Sequence, residues 1–227
     1  MPGFDEAVAR SLDSVMVYAD DRTSAVLAAH AIARLRGDNV TWLDIRDPGG
    51  PPEPYDELLR AVVGPRRAYR TAPPDDLAPE NAAANLALWT VIRSDEPTEV
   101  VAQFVDFLRL PTSVQKMFEQ FGPADTSPTL VVTNSDRIAA LYPEDVESTK
   151  GFVDVFARQG IKLVATIVGI ERKDRFAYQH VYRLRSPPGS RWEEATWAVE
   201  TPTPTGGSAL GPTHRLGDAP GIRELLR

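Results

Sequence analysis

The chain has 227 residues, 42% of them hydrophobic, and a formal charge of -7 from 32 acidic and 25 basic side chains. That is enough apolar material to close a core without staples, and the two signs are interspersed, which gives no blanket attraction to nucleic acid or to an anionic membrane. There is no cysteine, which excludes disulfide frameworks, thiolate nucleophiles and thiolate metal sites. Met1 to Arg10 lacks the basic start and apolar run of a secretory leader, and no segment reaches ~18 apolar residues, so a cytoplasmic protein without a membrane partner is expected.

In chain order, the apolar run Ser14 to Ala19 (SVMVYA) predicts a strand and Thr23 to Arg36 (TSAVLAAHAIARLR) a helix. Alanine and leucine lose little entropy in a helix, Thr23 is available as its cap, and Gly37 as its stop. Val40 to Ile45 (VTWLDI) reads as a second strand, halted by the proline- and glycine-rich Arg46 to Pro54 (RDPGGPPEP). A short helix over 55–63, a short strand over 67–70 and helices over 80–93 and 99–121 follow, the last divided by Pro111.

Thr129 to Thr133 (TLVVT) is almost wholly apolar and bounded by Pro128 and Asn134, which predicts a buried central strand. The apolar segment 138–141 is short. Glu147 to Gln159 gives a helix with Phe152, Val155 and Phe156 on one side, closed by Gly160. Ile161 to Val168 (IKLVATIV) is a further buried strand. Tyr178 to Leu184 and Trp192 to Val199 read as late strands around the turn SPPGS, the first of them near an edge.

Strands separated by helices predict an α/β fold: a mainly parallel central sheet with helices on both faces, and a final hairpin extending one edge. Residues 1–200 make this domain. Residues 201–227 form a Pro/Gly-rich C-terminal tail on the surface, docked by a short terminal helix through Ile222, Leu225 and Leu226.

Ligands of parallel sheets sit beyond the carboxyl ends of the strands, so three tips are inspected. At Ala19 to Ser24 (ADDRTS), Arg22 offers a cation and Thr23 and Ser24 offer hydroxyls and helix N-terminal amides. The loop has no glycine and no lysine, and Asp20 and Asp21 bring negative charge to the same place, so it reads as a self-capped turn. At the second tip, Asn134 to Arg137, three readings stand: Asp136 as a helix cap, Asp136 in a catalytic or magnesium role, and Asn134 to Arg137 as part of a binding surface. At the third, Asp44 and Arg46 alternate with Ile45 and so fall on one side, and a local ion pair of Asp44 with Arg46 or Arg22 is favoured over a catalytic acid pair.

His30, His180 and His214 lie on different elements with no i,i+4 partner, so no metal site is expected, and no Gly-x-Ser-x-Gly elbow occurs. Arg172, Lys173, Arg175, Arg183 and Arg185 flank Phe176, Tyr178 and Tyr182. Such interleaving fits a surface that stacks bases or holds phosphate, and equally a solvated edge strand whose charges block unwanted pairing.

The order of elements, with PTLVVTNSDRIAALYP (Pro128 to Pro143) and KGFVDVFARQGIKLVATIVG (Lys150 to Gly169), resembles the RecA-like ATPase core and, within it, the archaeal KaiC-like and related degenerate members. The resemblance implies a RecA-like three-layer sandwich. It also implies a Gly-rich phosphate loop at Ala19 to Ser24, of which only Thr23 and Ser24 are left. A catalytic glutamate after the second strand has counterparts only in Glu53 or Glu57. At the magnesium-holding aspartate stands Asn134, with Asp136 displaced. A non-catalytic regulatory or protein-binding module that has lost ATPase activity is therefore expected, with no catalytic residue, no cofactor, no ATP and a protein partner or homo-oligomer. The alternative is an unconventional nucleotide-binding protein using Arg22, Thr23, Asp44 and Asp136.

Overall fold

The computed structural model describes residues 12–37, 40–44, 68–70, 129–136, 150, 153, 154, 156–158, 160–169, 173–219 and 222. The strand over 15–19 forms as β1 (Val15–Ala19) and leads into α1 (Arg22–Arg36). β2 (Val40–Asp44), β3 (Ala68–Arg70) and β4 (Thr129–Thr133) follow, then β5 (Lys162–Val168), β6 (His180–Arg185) and β7 (Thr196–Pro202). Two short strands, β8 (Ser208–Leu210) and β9 (His214–Arg215), come last.

These strands form one mixed sheet in the order β3-β2-β4-β5-β1-β6-β7-β8, with β9 also on β7. From β3 to β6 every pairing is parallel, so all six strands end at the same edge. β7 turns back antiparallel to β6 and carries β8 and β9 on its far side.

Every residue of β4 is buried, as a continuous apolar run requires when both faces of a strand are covered. One face of β1 points Val15, Val17 and Ala19 at α1, together with Val131, Val164 and Tyr182 of the neighbouring strands. On the other face Met16, Leu163 and Ile167 are equally buried.

Residues 24–33 of α1 are buried without a break. A helix covered all round belongs inside a core, and only its small alanines allow that approach. Gly37, at φ 123°, ends it. Arg36 is clamped beneath: its guanidinium donates to the Asp13 carbonyl, and burial pushes its pKa down to about 10. Lys162 donates to the Arg36 carbonyl at 3.3 Å, a cation at the carbonyl end of a helix. Residues 150, 153, 154 and 156–158 are helical, with Val153 and Phe156 buried.

Four expectations change. Asp21, not Thr23, caps α1, its carboxylate accepting from the Ser24 amide at 2.8 Å; with Arg22 already helical, Thr23 lies inside the first turn. Trp192–Glu194 is a 3-10 turn, and the strand begins only at Thr196. β6 lies between β1 and β7 and is not an edge strand. The segment after Glu200, expected as a surface tail docked through Ile222, Leu225 and Leu226, adds β8, β9 and a 3-10 turn over Leu216–Asp218, and sets Leu216 and Ala219 into the core with α1 beside Ile222. The elements expected over 55–63, 80–93, 99–121 and 138–141, and Phe152, Val155, Leu225 and Leu226, lie outside the described residues.

Candidate functional site at the strand tips

Parallel pairing brings the ends of β1, β4 and β5 together, and α1 starts directly beyond β1. Arg22, on the first turn of α1, reaches across to the tip of β4. Its Nη1 donates to Asn134 Oδ1 at 2.5 Å and to Asp136 Oδ1 at 3.2 Å, and its Nη2 donates to Asp136 Oδ2 at 3.0 Å. The paired guanidinium nitrogens against one carboxylate make a forked, charge-assisted contact. Asp136 is 5% exposed and also accepts from the Val168 amide at 3.3 Å, which fastens the β4 tip to the end of β5.

Asn134 carries the non-glycine positive φ among the described residues, 59°. Asparagine tolerates this left-handed conformation better than most side chains, so it supplies the turn that a strand needs before changing direction. The strain is held by neighbours: the Asn134 amide donates to Thr166 Oγ1 at 3.1 Å, and Ser135 donates through both its amide and its hydroxyl to the Thr166 carbonyl.

On the other side of α1's start, Asp20 and Asp21 are held by the turn after β6. The Ser186 amide donates to Asp20 Oδ2 at 3.2 Å, the Ser186 hydroxyl donates to Asp21 Oδ2, and the hydroxyls of Ser24 and Ser186 meet at 3.1 Å. Ser24 is fully buried. The helix N-terminal amide at Ser24 and the cation of Arg22 are thus answered by carboxylates of this same chain.

Of the residues singled out in the sequence, Arg22, Asn134 and Asp136 come into direct contact, and Ser24 lies in the adjoining cluster. Thr23 is half-buried. Asp44 closes β2 opposite Thr133 of β4 and Arg70 of β3, which puts its backbone at the same edge. Arg46 lies outside the described residues. Ser186, Thr166 and Val168 were missed: Ser186 opens a turn rich in proline, and no local pattern connects it with a pair of aspartates so far away in the chain.

Of the possible basic surface, the structure describes Lys173, Arg175, Arg183 and Arg185. Arg175 is 7% exposed and pairs with Glu200 at 2.8 Å, with its guanidinium 4.4 Å from the Phe176 ring centroid. Burial alone pushes the Glu200 carboxyl up. Hydrogen bonds from Arg175 and Ser208, with the positive field of Arg175 and Arg183, outweigh it and hold Glu200 below the usual carboxylate range. Arg183 is half-buried and stacks 4.0 Å from the Tyr18 ring centroid. Arg185 is exposed at the end of β6, Lys173 opens a 3-10 turn, and Arg172 lies outside the described residues. Sequence charge reported the cations but not their burial.

Among the described residues no three or more histidine, aspartate or glutamate side chains gather as a metal site, and no helix is long and apolar enough to cross a membrane. No family model matches the chain, and no curated protein matches it. Among solved structures the chain is similar to the flagellar accessory protein FlaH from Methanocaldococcus jannaschii, at 8% identity and a TM-score of 0.42, over 89% of this chain and 91% of that one.

Proposed function

We propose that this chain is a non-catalytic α/β module of RecA-like plan, a regulatory or protein-binding domain whose nucleotide site is closed by its own side chains. The observation that carries the reading is Asp21: its carboxylate takes the Ser24 amide at 2.8 Å, at the helix terminus where a phosphate would have to sit. Arg22, the nearest cation, is engaged by Asp136 and Asn134. A triphosphate would have to displace two carboxylates and bear the repulsion of Asp20 as well, with no lysine in that loop to offset it.

The second reading, an unconventional small-ligand site, draws on Asn134. A residue held at φ 59° on the tip of a central strand, beside a forked Arg–Asp contact, is the kind of strained position that gathers at functional sites. Calorimetric titration with Mg-ATP and Mg-ADP separates the two. A flat trace is the expected result. Saturable binding in the low micromolar range, removed by Arg22→Ala, would overturn the closed-site reading.

A further inference from the structure

The segment from Thr201 to Thr213 (TPTPTGGSALGPT) contains no charged side chain, in a chain of which 25% is charged. It is the end of β7, a tight turn and β8. The turn is built by the Thr203 amide donating to the Gly207 carbonyl at 2.9 Å and the Gly206 amide donating to the Thr203 carbonyl at 3.0 Å, with Gly206 at φ 83°. Apart from half-buried Thr203, every residue of this arm is exposed. Leu210 is 47% exposed, the most exposed large hydrophobic side chain among the described residues.

β8 ends the sheet, and among the described residues no strand lies beyond it. Edge strands are ordinarily protected by lysines, internal prolines or bulges. Within Ser208, Ala209 and Leu210 there is none of these; on the same edge, Pro212 and a one-residue bulge opposite Ala198, between the registers of β8 and β9, confine the open stretch to these three residues. Ala209 lies opposite Thr201, and Gly211 donates to the Val199 carbonyl at 2.8 Å. In an antiparallel ladder this alternation turns the backbone groups of Ala209 toward β7 and those of Ser208 and Leu210 outward.

We infer that β8 is a dimerisation edge whose partner is β8 of a second copy of this chain, paired antiparallel about Ala209. With Ala209 opposite its equivalent, Ser208 of each copy faces Leu210 of the other, and the outward amides and carbonyls of those two residues are matched to exchange both hydrogen bonds. The charge pattern suits a second copy. A twofold contact sets a patch against itself, so any net charge in it repels; an arm without charge lets a chain of charge -7 make such a contact without that repulsion. Alanine at the axis lets the two strands approach, and the two Leu210 side chains come onto the same face of the continuous sheet as diagonal neighbours. This contact is independent of the strand-tip reading: either can fail while the other stands.

The test uses the full chain and its lack of cysteine. In Ala209→Cys the only thiols in the dimer stand across a non-hydrogen-bonded pair, at a Cα separation that a disulfide spans. Mild oxidation is expected to give a cross-linked dimer in high yield, whereas Thr205→Cys, at the tip of the arm, stays uncross-linked. By sedimentation equilibrium the unmodified chain is expected to approach twice the single-chain mass with rising concentration. Leu210→Lys, which adds like charges across the axis at an exposed site, is expected to raise the dimer dissociation constant at least ~tenfold with an unchanged circular dichroism spectrum. A chain that stays monomeric up to several hundred micromolar would overturn the inference. So would a dimer that fails to cross-link in the Ala209→Cys variant and survives Leu210→Lys.

Discussion

The guanidinium of Arg22, on the first turn of α1, stands 3.0 Å from the carboxylate of Asp136 beyond the tip of β4. The two side chains differ in exposure, 27% for Arg22 and 6% for Asp136, so removing one is not equivalent to removing the other. Arg22→Ala leaves a carboxylate in a site from which water is largely excluded and is expected to cost about 2 kcal/mol. Asp136→Asn keeps an acceptor for the Val168 amide and is expected to cost less. Because the residues act as a pair, the double variant should be more stable than the two single losses summed, by at least ~1 kcal/mol in a urea double-mutant cycle. Additive losses would show that the contact is incidental.

The cap of α1 distinguishes two neighbouring residues with similar chemistry. Asp21 accepts from the Ser24 amide and from the Ser186 hydroxyl, whereas Thr23 lies within the helix. Asp21→Ala is therefore expected to destabilise by about 1 kcal/mol or more, and Thr23→Ala by less than about 0.5 kcal/mol. The reverse order in thermal unfolding would restore the threonine as the cap.

Much of the sheet could be read from the chain because its strands are continuous apolar runs. TLVVT and KLVATIV have both faces covered, so each announces itself without reference to partners. What could not be read depends on long-range contact. The threonine-, proline- and glycine-rich composition after Glu200 resembles a loop, and only pairing with β7 makes Ser208–Leu210 a strand. Alternation across WEEATWAV is compatible with a strand throughout, yet the Ala195 amide donates to the Trp192 carbonyl at 3.1 Å and closes a turn there. At the candidate site, the residues on each tip were visible as polar breaks after apolar runs. That Arg22 would reach Asp136 depends on which strands neighbour β1, and no local pattern carries that order.

A pH dependence follows from His30, on the buried stretch of α1. Burial, reinforced by the positive charge of Arg34, pushes its imidazole down from 6.5 to about 4. The unfolded chain therefore binds a proton in this range that the folded chain refuses, and the folded state loses stability as pH falls from 6.5 toward 4. Between pH 6.5 and 5, above most carboxylate titration, the loss is about 1.5 kcal/mol. His30→Leu, which cannot titrate, should flatten urea-derived stability across that interval. An unchanged slope in the variant would show that His30 titrates alike in both states.

The last prediction concerns the C-terminal segment, which holds part of the core in place of lying over it. Leu216 is fully buried, as is Ile222, and both belong to the cluster that includes Leu27, Ile32 and Trp197. The Leu216 amide donates to the Ala195 carbonyl at 2.7 Å, so the segment is joined to the turn before β7 by backbone as well as by packing. His214 lies against Trp197, ring centroids 4.7 Å apart, on the strand that pairs with the start of β7. Truncation after Glu200 would open this side of the core and expose Trp197 and the neighbouring face of α1. It is expected to abolish cooperative unfolding. Leu216→Ala isolates the packing from the loss of chain: a fully buried leucine reduced to alanine costs about 2–5 kcal/mol, depending on how far the site collapses. Thr205→Ala, in the exposed turn of the arm, should stay within about 0.5 kcal/mol and serves as the control. A truncated chain that still unfolds cooperatively with an unshifted midpoint would place the core boundary before residue 201.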